Sequence, residues 1–190
     1  PGGWGWTDLS GAVPDADDTP GALLALKRIS QLSAPEGEQE RIPTSKIQQS
    51  AELGVDWLIN LQNNDKGWPT FCRGWLKLPF DRSGTDLTAH VIRSFLAWRD
   101  DISDTKNRKT KVNRAIKTGF EYLKQHQERD GSWLPLWFGN QDMPEDINPF
   151  YGTAKVLMAY RDANLFDTKE AQFGLRWLRE NQNEDGGWGG

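Results

Sequence analysis

Trp57-Leu58-Ile59-Asn60-Leu61-Gln62-Asn63-Asn64-Asp65-Lys66-Gly67-Trp68 is the first full copy of a pattern that decides how the rest of the chain must be read. Tyr122-Leu123 leads to Gln127, Gly131 and Trp133, and Trp177-Leu178 leads to Gln182, Gly186 and Trp188. In each copy the aromatic-to-Gln step is five residues and the Gln-to-Trp step is six, and a glycine (Gly54, Gly119, Gly174) stands three residues before the aromatic. The closing tryptophans of successive copies are 64, 65 and 55 residues apart when Gly2-Gly3-Trp4 is counted as the tail of a fourth copy. Its Gln would stand before Pro1, so the 190 residues are read as one repeat-built domain within a longer chain. Self-similarity at such a period is the mark of stacked supersecondary units that bury their apolar faces on one another.

Each unit carries two helical patterns. Ile47, Ala51, Gly54, Leu58 and Leu61 recur at steps of three and four, as do Val112, Ile116, Phe120 and Leu123, and a weaker version runs over 168–182. These amphipathic segments lead into the Gln–Trp element. A second, more continuously apolar set is expected to start after Thr19, Thr88 and Thr153, over 20–29, 89–98 and 154–163. Helices apolar nearly all round are buried. The expected fold is therefore all-α: three αα-hairpins, an inner row backed by an outer row, forming part of an α/α barrel or toroid. Loops are expected over 33–43, 66–84, 101–109 and 131–149, where turn and breaker residues gather.

The chemistry-bearing stretch is Pro14-Asp15-Ala16-Asp17-Asp18-Thr19-Pro20. Three carboxylates in four residues raise the free energy of one another's charge, so at least one proton is expected to be held to higher pH. Thr19 reads as an N-cap and Pro20 as a first helical residue. An acidic first turn on a solvated helix is the plain alternative. The threonine register sets Asp15–Asp18, the pair Asp86 and His90, and Phe150-Tyr151 at corresponding places on successive inner helices. Inner helices 8–10 Å apart let side chains meet, which makes His90 a candidate neighbour of the acidic cluster. His126, between two glutamines on an outer helix, reads as solvated.

Composition narrows the class. A net charge of −4 with both signs interspersed gives no nucleic-acid footprint. The single cysteine, Cys72, excludes an internal disulfide and suits a reducing compartment. No apolar run reaches the ~18 residues that span a bilayer, so a cytoplasmic or peripherally membrane-associated protein is expected. Neither a phosphate-cradling glycine loop nor a closed set of metal ligands is present, so no cofactor and no metal are expected. Cys72, Asp86 and His90 have the residue types of a zinc site without a recognisable spacing.

With these residues in view, the chain resembles the C-terminal catalytic part of the squalene–hopene cyclase family, the class II triterpene cyclases. Asp15–Thr19 matches that family's Asp-x-Asp-Asp-Thr acid motif, and Gln62–Trp68, Gln127–Trp133 and Gln182–Trp188 match its repeats. Asp86-Leu-Thr-Ala-His90-Val and Tyr151-Gly152-Thr153 match further tracts. The resemblance implies a hydrophobic isoprenoid substrate, with Asp17 as the acid that protonates a terminal alkene. It implies supporting roles for Asp15, Asp18 and His90, and cation-facing aromatic rings for which Phe71, Trp75, Trp137 and Tyr151 are the candidates. Lys66 in place of the repeat's Gly, the stretch 71–75, and an insertion carrying Asp142, Glu145 and Asp146 depart from the family pattern. Two alternatives stay open: a cyclase for a shorter isoprenoid diphosphate, and a non-catalytic toroid used as a binding scaffold. The second would show an acidic cluster open to water with no apolar cavity behind it.

Overall fold

A computed structural model of the chain describes residues 2–32, 43–74 and 79–189. It is all-α apart from one two-residue antiparallel ribbon. The helices are α1 (Asp18–Gln31), α2 (Thr44–Leu61), α3 (Thr85–Trp98), α4 (Arg108–Gln125), α5 (Pro149–Asp162) and α6 (Lys169–Glu180). Within the loop before α3, β1 (Trp68–Pro69) pairs with β2 (Ser83–Gly84). Helix α3 packs against both α1 and α5, making the inner row, and α2, α4 and α6 back α1, α3 and α5 respectively. Most of the 33–43 loop, and Trp75, lie outside the described residues.

Two sequence expectations need correction. The inner helices start earlier than the threonines: Thr19, Thr88 and Thr153 sit inside α1, α3 and α5, and none caps a helix. Only α3 is buried nearly all round, because only it has an inner neighbour on each side. On α1 and α5, Ile29 (46% exposed) and Met158 (40% exposed) face outward.

The three threonines do share a job. Each is fully buried, and its hydroxyl accepts the main-chain N–H of a repeat tryptophan: Trp4 to Thr19 at 2.9 Å, Trp68 to Thr88 at 3.0 Å, Trp133 to Thr153 at 2.9 Å. The indole N–H of Trp68, Trp133 and Trp188 donates to the carbonyl ten residues earlier, Leu58, Leu123 and Leu178, at 2.7–2.8 Å. The glutamine amide closes the turn by donating to the carbonyl of Lys66, Gly131 or Gly186 at 2.8–2.9 Å. The helical glycines explain themselves by close approach: a Cβ on Gly54 or Gly174 would stand 2.6 Å from the ring of Trp4 or Trp133, and one on Gly119 would stand 3.2 Å from Trp68. Trp68 and Trp133 therefore each join three helices, the outer helix before the tryptophan and both helices of the next hairpin. Trp68 and Trp133 are fully buried as a result, whereas Trp188, with no following hairpin among these residues, is 51% exposed.

Candidate functional site

The acid stretch is fixed at both ends before α1 begins. The Asp15 N–H donates to Trp4 O at 3.0 Å, and the Ala16 N–H donates to Phe71 O at 2.8 Å. The Asp15 carboxylate then turns under the helix start, where its Oδ1 accepts the N–H groups of Asp17 (2.9 Å) and Asp18 (2.6 Å). It thereby satisfies two main-chain donors that a helix N-terminus leaves open. Pro20, third in α1, has no N–H to satisfy there.

Burial governs the charges. Asp15 is buried, and desolvation pushes its pKa up to about 7 against those two hydrogen bonds, with the Asp18 charge adding a smaller upward push. Asp17 is raised as well, by desolvation first, while Lys155 pulls it down and Asp18 pushes it up. The crowding of like charges expected from the sequence is thus the lesser cause.

One turn apart on α3, Asp86 and His90 lie beside this cluster. Asp86 is 1% exposed, and desolvation raises it to about 6. The N–H groups of Asp86 and Leu87 approach it and partly offset the rise, but neither carboxylate oxygen has a hydrogen-bond partner among the described residues. His90 is pushed down to about 4, by desolvation first and then by the charges of Lys155 and Arg93, so the ring is neutral near pH 7. It faces the start of α1: the Asp17 main chain favours its protonated form, and its Nε2 is 3.7 Å from where a Cβ on Gly21 would stand. Its Nδ1 is buried without a partner among the described residues.

In front of the acids lies a cleft of about 520 Å³. Asp15, Asp17 and Asp18 form one side of it; Phe71, Phe80, Trp137 and Phe138 form an aromatic wall. Phe71, Phe80 and Trp137 pack on one another with centroids 4.8–6.3 Å apart. Trp6 and Val13 add an exposed apolar lip. Of the ring positions expected from sequence, Phe71 and Trp137 line the cleft. Tyr151 stands behind the wall, packed on Phe138 at 5.4 Å, with its hydroxyl pKa raised by desolvation and by the charges of Asp86 and Asp17. Trp75 is outside the described residues. His126 is exposed and stacks on Tyr122.

Cys72 lines the same cleft, and among the described residues no three His, Cys, Asp or Glu side chains gather as a metal-holding group. Among the described residues no helix is long and apolar enough to cross a membrane. The sequence aligned Asp86 without giving it a role, and it drew no attention to Phe80, Phe138 and Lys155. Helical spacing was the available signal for two of these four, since Asp86 is four residues before His90 and Lys155 four after Tyr151.

Comparison with known proteins agrees with this architecture. The squalene-hopene cyclase C-terminal domain family matches residues 1–190. The squalene–hopene cyclase of Zymomonas mobilis is 30% identical over 202 residues, covering 100% of this chain and 27% of that protein. That of Bradyrhizobium diazoefficiens is 28% identical with the same coverage. A terpene cyclase–glycosyl transferase fusion protein of Humicola fuscoatra is 27% identical over all of this chain and 14% of its own length. The chain spans about a quarter of the length of the two bacterial relatives. With the repeat staples, the acid motif and a match along its whole length, the chain belongs to the squalene–hopene cyclase family, as its C-terminal domain.

Proposed function

We propose that the protein carrying this domain is a class II terpene cyclase, folding a hydrophobic isoprenoid of the squalene type into rings, with Asp17 as the general acid. The observation that carries this reading is the meeting of Asp17 and an aromatic wall in one cleft of about 520 Å³. An unactivated alkene is a very weak base. Protonating it needs a carboxylic acid that is kept protonated near neutral pH and sheltered from water. Desolvation raises Asp17, and Asp15 beside it holds a proton up to about pH 7.

In the step so assigned, the Asp17 O–H bond breaks and its proton forms a C–H bond at the terminal alkene carbon, leaving a tertiary cation and an Asp17 carboxylate. Neighbouring alkenes then close onto the cation. Phe71, Phe80 and Trp137 line the cleft in which that charge travels, and a ring-face contact with it contributes about 0.5–2 kcal/mol when desolvated. Loss of a proton from the final cation, or capture of water, ends the sequence. Asp15 orders the chain around Asp17, and His90, neutral and seated against the Asp17 main chain, adds no positive charge of its own to the reaction site.

The aromatic wall speaks against a scaffold with an acid patch open to water. Incubating the protein with squalene, and separately with geranylgeranyl diphosphate, tests the reading through the products formed. Cyclised triterpene from squalene is the expected result. Conversion of the diphosphate alone would move the assignment to the diterpene type, and consumption of neither would return the domain to a binding role.

A further inference from the structure

Beside the acids stands a cation that the mechanism above leaves unused. Lys155 lies on α5 one turn after Tyr151, half-buried, with Nζ 5.2 Å from the centre of the Tyr151 ring. Helix α5 packs along α3, so the pair Tyr151 and Lys155 sits beside the pair Asp86 and His90. On the α3 side, three buried polar atoms lack a hydrogen-bond partner among the described residues: both carboxylate oxygens of Asp86 and Nδ1 of His90. A carboxylate that is 1% exposed with no donor is costly. A lysine ammonium on a four-carbon stem, held among the described residues by a ring face, is a donor that can swing to it.

We propose that Lys155 is a positioning residue of the acid site: its ammonium group is the mobile counter-ion of the Asp86 carboxylate, and it decides which of the gathered acids carries the proton. The proposal rests on the reading of Asp17 as general acid, but its physical core, a cation shared by Asp86 and Asp17, stands independently of turnover. The groups that feel Lys155 are Asp17 from the start of α1, Asp86 and His90 from α3, and Tyr151 from α5 itself; His90 also feels Arg93, and Asp15 and Asp18 bear on the same acids through their contacts with each other and with Asp17. Arg93 is engaged by Asp162 at 2.7 Å, which leaves Lys155, among the described residues, as the cation available to the acids. The electrostatics agree in sign, because the Lys155 charge pulls down the pKa of Asp17, Asp86 and His90 alike. With Lys155 pointed at Asp86, that group ionises first and Asp17 keeps its proton. With Lys155 parked over Tyr151, Asp86 has no counter-ion and holds a proton of its own, so Asp17 is no longer the favoured holder.

The test is a carboxyl titration of the wild-type protein, Lys155→Met and Lys155→Arg, following the carboxylic-acid carbonyl stretch by infrared difference spectroscopy, with Asp17→Asn and Asp86→Asn used to assign the bands. Methionine keeps the helix and much of the side-chain volume; arginine keeps the charge. In Lys155→Met both carboxyl bands titrate at higher pH than in wild type, and in Lys155→Arg they stay near it. The alkaline limb of the pH–rate profile with squalene moves upward in the methionine variant only. Unmoved bands in Lys155→Met, or equal shifts in both variants, overturn the proposal. Shifted bands in a protein that cyclises nothing leave it standing and sink the cyclase reading instead.

Discussion

The tryptophan staples and the acid mouth are built on the same three inner helices, within a turn of one another, and they are opposite in physical character. At the staples, corresponding hydrogen bonds agree to about 0.1 Å between copies, and the main-chain, indole and amide groups that define the motif are paired. At the mouth no two copies match: Asp17 and Asp18 open α1, Asp86 lies in the first turn of α3, and Tyr151 in that of α5. There both carboxylate oxygens of Asp86 and Nδ1 of His90 go unpaired among the described residues, and desolvation makes the carboxyl groups hold their protons to higher pH. The repeat thus fixes the backbone so firmly that the neighbouring positions can carry groups that work against folding. Unpaired buried carboxyls cluster where chemistry is done.

If that division is right, substitutions at the mouth should change activity with little loss of stability, and substitutions at the staples the reverse. The largest effect expected is on turnover in Asp17→Asn. An amide cannot donate the proton, so activity on an isoprenoid substrate should fall by at least the ~10²–10⁴-fold associated with general acid catalysis. The melting temperature should stay at or above that of wild type, because Asn does not carry the cost of a desolvated charge. Retained turnover, measured by product formation, would remove Asp17 from the role.

The matching change at a staple is Trp133→Ala. This fully buried ring joins the end of α4, through its indole bond to Leu123 O, to Gly174 on α6, while the main-chain N–H that donates to the Thr153 hydroxyl is kept in the alanine variant. Its loss should cost about 3–5 kcal/mol by chemical denaturation, in the range for buried aromatic truncation. Trp188→Ala, at a ring 51% exposed, should cost far less in the same chain. Equal costs would show that stapling across hairpins contributes little.

Next in size is a gain. Asp86 has a folded pKa raised from 3.8 to about 6, so the folded state holds its proton more tightly than the unfolded chain does. Its protonated form is therefore favoured at low pH, and stability is lost as pH rises from about 4 through about 6. A rise of that size is worth roughly 3 kcal/mol. Asp86→Asn removes that titration. It should unfold at higher denaturant than wild type at about pH 8, with the difference fading toward pH 4, while turnover suffers. A variant less stable than wild type on the alkaline side would mean that Lys155 and the neighbouring N–H groups outweigh the desolvation of the Asp86 charge.

How far the sequence carried differs between the two regions for the same reason. The staples were legible because repetition turns a packing rule into a visible spacing: Gly, aromatic, Gln and Trp recur in step. Even so, the sequence reads Thr19 as a helix cap and Thr88 and Thr153 as residues before a helix start, since spacing locates a residue without naming its partner. At the mouth, Asp15, Asp17, Asp18 and His90 were legible through the register, as were Phe71 and Trp137 through the family resemblance. Phe80 and Phe138 were not, because they stand in loops whose path has no period. Nor was the order of causes for the raised carboxyls, because burial is a property of the packed helices and leaves no trace in local charge pattern.

The smallest predicted effect tests the staple where its sequence breaks rank. The turn between Gln and Trp needs a residue with positive φ: Gly131 takes +101° and Gly186 takes +88°, but the first copy places Lys66 there, at +78°. A side chain in that region costs about 1–2 kcal/mol from its Cβ. A glycine would add about 0.5–1 kcal/mol of unfolded-chain entropy to be lost on folding. The difference leaves Lys66→Gly about 0.5–1 kcal/mol more stable, a few degrees at most in melting temperature for a chain of this size. The turn would still close through Gln62, because its amide bonds to the main-chain carbonyl of residue 66 at 2.8 Å and is indifferent to the side chain. The reciprocal change, Gly131→Lys, meets the same left-handed requirement and also the Phe173 ring, 2.9 Å from the new Cβ. It should lose more than Lys66→Gly gains. If the two changes were equal and opposite, backbone conformation alone would set the cost at this position, and the packing of each staple against the next hairpin would have no part in it.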